Sequence, residues 1–70
     1  MILSKKFVSS DISEARYDTI AHTMTIKFPD TGDYQYDAVP NDIFNGICNA
    51  EHPGVFFLGN IKAKFAWVKL

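Results

Sequence analysis

The chain's strongest constraint on its own folding is a double alternation of apolar and polar residues around a Pro-Asp-Thr-Gly turn. Met24, Ile26 and Phe28 alternate with Thr25 and Lys27, and beyond the turn Tyr34, Tyr36 and Ala38 alternate with Gln35 and Asp37. Period two marks a strand with one face buried. Between the arms Pro29 presets φ, Asp30 can bond its own backbone, and Gly32 accepts a positive φ. A hairpin over residues 23–39 centred on Thr31 would pair Phe28 with Tyr34, Ile26 with Tyr36 and Met24 with Ala38, placing all six side chains on one face. Lys27 would then oppose Gln35, and Thr25 would oppose Asp37. A slip of one residue would turn three apolar side chains into water, so the pattern specifies its own register.

The rest of the chain reads as support for this hairpin. Residues 6–9, anchored by Phe7, form an expected first strand, and Ser9-Ser10-Asp11 carries turn chemistry. Residues 13–17 form a second strand with Ala15 and Tyr17 buried, and residues 18–22 return the chain to the hairpin, giving a three-stranded antiparallel meander. Pro40 cannot continue a ladder, and Asn41 after it is a suitable helix N-cap. Asp42 favours the first turn of a helix over 41–50. Ile43, Phe44, Ile47 and Cys48 share one face of that helix, which is expected to cover the aromatic side of the hairpin. His52-Pro53-Gly54 breaks it. Phe57, Ile61 and Phe65 then fall at helical spacing, with Lys62 and Lys64 pointing away, and residues 65–68 form a last extended segment. The expected class is α+β: one small domain, residues 1–70, with an antiparallel β-meander against one or two short helices.

A 70-residue chain that is 47% hydrophobic and 14% aromatic supports one modest core. The single cysteine, Cys48, has no internal disulfide partner, which fits a reducing compartment. The first residues lack the order of a secretory signal, and no apolar run is long enough for a membrane span. A soluble cytoplasmic protein without membrane attachment is the expectation. The net charge of −1 does not suit a general nucleic-acid binder, but its distribution is uneven. Residues 11–51 hold all eight acids with Arg16 and Lys27, a net −6, whereas Lys5, Lys6, Lys62, Lys64 and Lys69 give the two ends +5. If the ends meet, one face becomes basic; the alternative is that these lysines only keep a small surface soluble.

Catalytic chemistry has little to build on. His22 and His52 lie thirty residues apart in expected loops or turns, and with Cys48 they show no metal-ligand spacing. Cys48 on an apolar helical face is expected to be a small buried hydrophobe. Asp30 and Asp33 flank a turn, and the four glycines are too dispersed for a phosphate loop. No enzyme activity, cofactor or metal is expected. Binding is better motivated: Tyr34 and Tyr36 near lysines could stack bases, although periodicity alone favours both packing under the helix with their hydroxyls at the rim.

Tyr34-Gln35-Tyr36, then Val39-Pro40, a helix, Gly54-Val55-Phe56-Phe57 and Ile61-Lys62 together resemble the KTSC domain, with Val8-Ser9-Ser10, Tyr17-Asp18 and Phe28 fitting its earlier positions. This module occurs at the C-terminus of some lysyl-tRNA synthetases and as stand-alone small proteins of bacteria and phages. The resemblance spans about residues 7–67. It departs from the pattern at His52-Pro53-Gly54, where Ser-x-Gly is usual, at Leu58, where Asn is expected, and at Phe65, where Tyr is common. The resemblance implies an RNA-binding role by its attachment to a synthetase. Two readings follow. One is a module for RNA or single-stranded nucleic acid using Tyr34, Tyr36, Trp67 and the terminal lysines Lys5, Lys6, Lys62, Lys64 and Lys69. The other is a protein-interaction module, such as a phage-type small protein that engages host machinery through its acidic middle or a strand edge. A basic, aromatic concave face would favour the first, and an acidic or apolar flat patch the second.

Overall fold

A computed structural model describes residues 1–9 and 11–70. The elements in chain order are β1 (Ile2–Lys6), β2 (Glu14–Asp18), β3 (Thr23–Phe28), β4 (Gly32–Tyr36), α1 (Asn41–Asn49), α2 (Pro53–Asn60) and β5 (Trp67–Lys69). The strands form one antiparallel sheet in the order β1-β2-β3-β4-β5, with both helices on one face. The expected α+β meander is present, and a first strand and a last extended segment join it at its two edges as β1 and β5, making five strands.

Strand alternation sorts the sheet's two faces. Ala15, Tyr17, Met24, Ile26 and Tyr36 face the helices and are buried, with Ile12, Val39, Phe44, Ile47, Phe57 and Ile61 completing the core. The other face is polar. Arg16 Nε donates to Glu14 Oε2 at 2.9 Å, and Lys27 lies in register with Glu14 on one side and Asp33 on the other. Exposed pairs of this kind contribute little stability, and they keep the open face hydrated.

The central hairpin has the expected face and a different register. Met24 pairs with Tyr36, Ile26 with Tyr34 and Phe28 with Gly32, so the centre lies at Asp30 instead of Thr31, and Lys27 opposes Asp33. Gly32, at φ 101°, closes the loop opposite Phe28, two residues earlier than expected. The shift amounts to two residues of pairing, an even number, and every side chain therefore stays on its assigned face. Ala38 is displaced from the ladder altogether. It is exposed and adopts φ 55°, turning the chain toward α1.

Val39 anchors that turn. It is fully buried, its N–H donates to His22 O at 2.8 Å, and its carbonyl accepts the Tyr17 hydroxyl at 2.6 Å. The Tyr17 oxygen also lies 3.0 Å from His22 Nδ1. Pro40 occupies the cap position with extended backbone, so Asn41 is the first helical residue and not the expected N-cap. Because Ala38 has a Cβ in a left-handed conformation, Ala38→Gly is expected to stabilise the domain by about 0.5–1 kcal/mol. Thermal melting should show a rise of a few degrees; a fall would mean that φ at position 38 is negative in solution.

The first strand is Ile2–Lys6, four residues earlier than expected, and Phe7 follows it with its N–H donated to Ser13 O. Only Leu3 among its apolar residues packs toward the core, a weak pattern for locating a strand. Ser10, within the expected Ser9-Ser10-Asp11 turn, lies outside the described residues. In the β2–β3 turn the N–H groups of Ala21 and Ile20 donate to Asp18 Oδ1 and hold its carboxyl below the usual range. Because the folded value is lowered, this contribution is full above the ordinary carboxylate value and is lost as pH falls through the lowered one.

The helices divide the sheet between them. Phe44 of α1 stacks on Tyr17 of β2 at 5.3 Å, while Phe57 of α2 meets the hairpin rings Phe28 and Tyr36 edge-on at 5.1 and 5.6 Å. It is therefore α2, not α1 as expected, that covers the hairpin's aromatic face. The His52-Pro53-Gly54 segment starts this helix, with His52 at the cap position and Pro53 at the first turn, where its missing N–H costs nothing. Gly46 lets the helices close together: a Cβ there would stand 2.4 Å from Phe56 Cζ.

An aromatic cleft between the hairpin, β5 and α2

The end of the sheet formed by β4 and β5 extends beyond the shelter of the helices, and a row of rings fills the gap. Trp67 pairs across the ladder with Tyr36, and Lys69 pairs with Tyr34. The strand is fixed at both ends, by Asp37 N–H on Ala66 O at 2.9 Å and Leu70 N–H on Asp33 O at 2.8 Å. Tyr34 is held between three neighbours: Phe28 edge-on at 5.5 Å, Trp67 tilted at 5.3 Å, and the Lys69 ammonium 5.9 Å above its ring. That last distance is within cation–π range.

These rings line a concave cleft of about 370 Å³, with Phe28, Tyr36 and Phe57 as its floor, Trp67 on one wall, and Thr31 and Lys62 at its rim. The two tyrosines have different fates. Tyr36 is 4% exposed, so it is core and floor rather than a free stacking surface, and burial, with a smaller effect of Tyr34, pushes its phenol up. Trp67, 52% exposed, is the ring with a face open to a ligand. A second depression of about 430 Å³ adjoins the first across Phe28, Thr31, Phe57 and Lys62, and it is bordered by Asp11, Asp30, Val55 and Leu58.

The expected site residues separate into two groups. Tyr34, Tyr36, Trp67 and Lys62 meet in the cleft, and Lys69 lies beside it. Lys5 and Lys6 do not join them. They lie on β1, at the opposite edge of the sheet, about 19 Å away by four strand spacings. The idea that the two chain ends meet to form one basic face is therefore incorrect: the sheet order places the first and last strands at opposite margins. Lys5 and Lys6 also point to opposite faces, as consecutive strand residues must. Lys64 sits in the exposed turn after α2 and lines neither depression. Phe28, Thr31 and Phe57 were not foreseen as lining residues, although Phe28 shares the hairpin face with the tyrosines and so carried a signal.

Cys48 is half-buried beside α1's apolar face, less enclosed than expected. Burial pushes its thiol up, and the Lys5 charge acts against this as the smaller effect. Among the described residues no group of three or more His, Cys, Asp or Glu side chains is placed to hold a metal ion. Nor is any helix among them long and apolar enough to cross a membrane.

A single antiparallel sheet, two helices on one face and an aromatic cleft at its last edge define a small α+β module. The chain belongs to the KTSC domain family, whose sequence profile matches residues 8–65. A relative from Tsukamurella paurometabola is 34% identical over 62 residues, covering 89% of this chain and 92% of that protein. The crystal structure of a KTSC domain protein from Yersinia pestis superimposes with a TM-score of 0.94 at 33% identity, covering 100% of this chain and 99% of that one.

Proposed function

We propose that the protein is a non-catalytic binding module whose cleft holds single-stranded nucleic acid, with RNA as the expected form given the synthetase context of the family. The observation that carries this reading is Trp67, half-exposed on the wall of a concave aromatic cleft, with Lys62 at the rim and Lys69 on the far side of Tyr34. A base can stack on the indole while its flanking phosphates meet the two ammonium groups. A protein-interaction reading draws on the neighbouring depression, where Val55 and Leu58 are 68% and 62% exposed beside Asp11 and Asp30.

Trp67 is the sole tryptophan, so its fluorescence reports directly on the cleft. Titration with single-stranded RNA at low salt is expected to quench it, with a log–log salt slope no steeper than about −1.4 for two phosphate contacts. Trp67→Ala, followed with a labelled strand, should weaken binding roughly 5- to 150-fold, the equivalent of about 1–3 kcal/mol of stacking. Lys62→Glu with Lys69→Glu should abolish it, whereas Lys5→Glu with Lys6→Glu, at the other edge of the sheet, should leave it unchanged. Absence of binding by the wild type, or indifference to the cleft substitutions, would favour the protein partner.

A further inference from the structure

We infer that the cleft recognises a single nucleotide unit, one base with the phosphates on either side of it, and offers no track for an extended strand. This rests on the nucleic-acid reading above and narrows its ligand. The first ground is the number of open ring faces. Tyr34 is flanked by Trp67 and Lys69, and Phe28, Tyr36 and Phe57 are committed to one another in edge-on contacts. Among the rings lining the cleft, Trp67 alone is exposed by half or more. One exposed ring stacks one base, and proteins that follow a strand present successive platforms.

The second ground is charge. Among the described residues Lys62 is the only cation bordering both depressions, and beyond it the groove is lined by Asp11 and Asp30. A strand leaving the cleft along the groove would bring its next phosphates against these two carboxylates. They lie within a Debye length of the path, about 10 Å at moderate salt, so the repulsion is felt. At the other margin the sheet ends with β5, and the remaining lysines of β1 are across the full width of the sheet. The basic, aromatic part of the surface is therefore about one nucleotide long.

The test compares adenosine 5′-monophosphate, a 5′-phosphorylated diadenylate and a long oligoadenylate, read by Trp67 fluorescence and by amide chemical shifts. Binding is expected in about the millimolar range for one stacked base. The diadenylate should match the long strand within about threefold once the number of overlapping positions on the strand is allowed for. A long strand that binds more than about tenfold tighter per position would overturn the single-unit footprint while leaving the nucleic-acid reading intact. Failure of all three ligands to bind would overturn both. Asp11→Lys with Asp30→Lys converts the acidic depression into a basic one and should create the missing length dependence. Asp11 abuts Gly54, so Asp30→Lys alone, in an exposed turn, serves where the double variant does not fold. If neither variant gains affinity for the long strand over the diadenylate, the acids are not what limits the footprint and the inference falls.

Discussion

Phe57→Ala is expected to remove most of the domain's stability. The ring is 6% exposed and is the piece of α2 that closes on the hairpin, with Phe28 and Tyr36 edge-on to it. Truncating a buried phenylalanine to alanine costs about 3–5 kcal/mol, from lost transfer energy and from the cavity left behind. A domain of this length has a total stability of about 4–10 kcal/mol. The variant should therefore be substantially unfolded on mild heating, and urea titration should show a midpoint lowered by well over ~1 M. A melting curve within a degree or two of the wild type would mean that α2 does not rest on the sheet as described.

The second large effect is expected at the contact between the two helices. A Cβ at Gly46 would stand 2.4 Å from Phe56 Cζ and 2.9 Å from Cε2, far inside van der Waals contact. Alanine at a helical glycine normally gains about 0.8–1 kcal/mol of propensity. Overpacking of this severity costs about 1–3 kcal/mol, because a phenyl ring has only two torsions through which to retreat. Gly46→Ala should thus be net destabilising by up to about 2 kcal/mol despite the better helix former, lowering the melting temperature by up to roughly 16 °C. Gly59 on α2 is the control: no described residue lies within 4 Å of its missing Cβ, and Gly59→Ala should stabilise. Phe56→Leu in the Gly46→Ala background should recover part of the loss, and an additive double mutant would show that the two sites do not touch.

How far the sequence disclosed the fold depended on how much each segment's pattern owed to its own burial. The β2 and β3 residues Ala15, Tyr17, Met24 and Ile26 are central in the sheet, covered on one face and wet on the other, so their alternation is clean. The hairpin register was displaced because Gly32's positive φ, a property of the loop, sets the pairing, while period two preserves the face under an even shift. Edge strands gave little warning. β1 carries a single core-facing apolar side chain, and all three residues of β5 are exposed, so only pairing with β4 makes them a strand. Pro53 signalled a helix boundary correctly, but a proline ends one helix and starts another with the same chemistry. The cleft was half legible. The residue types of Tyr34, Trp67 and Lys62 point to binding, whereas their meeting with Phe28, Thr31 and Phe57 depends on α2 packing on the hairpin and on the return of the chain as β5. The basic face drawn from both ends failed because charge along a sequence does not determine which strands become neighbours.

The late return of β5 bears on when the cleft exists at all. β1 to β4 are joined in chain order by short turns, whereas Trp67 reaches Tyr36 only after thirty intervening residues that include both helices. Closing so long a loop for a three-residue exposed strand brings a small gain against its entropy, so this edge belongs to the part of the molecule that opens most readily. Its detachment would separate Trp67 from Tyr34 and dissolve the cleft while Tyr17, Met24 and Ile47 stay packed. Affinity is then scaled by the fraction of molecules in which β5 is docked. Amide hydrogens of Trp67–Lys69 are expected to exchange far faster than those of Met24 and Ile26, and an occupied cleft should slow them selectively.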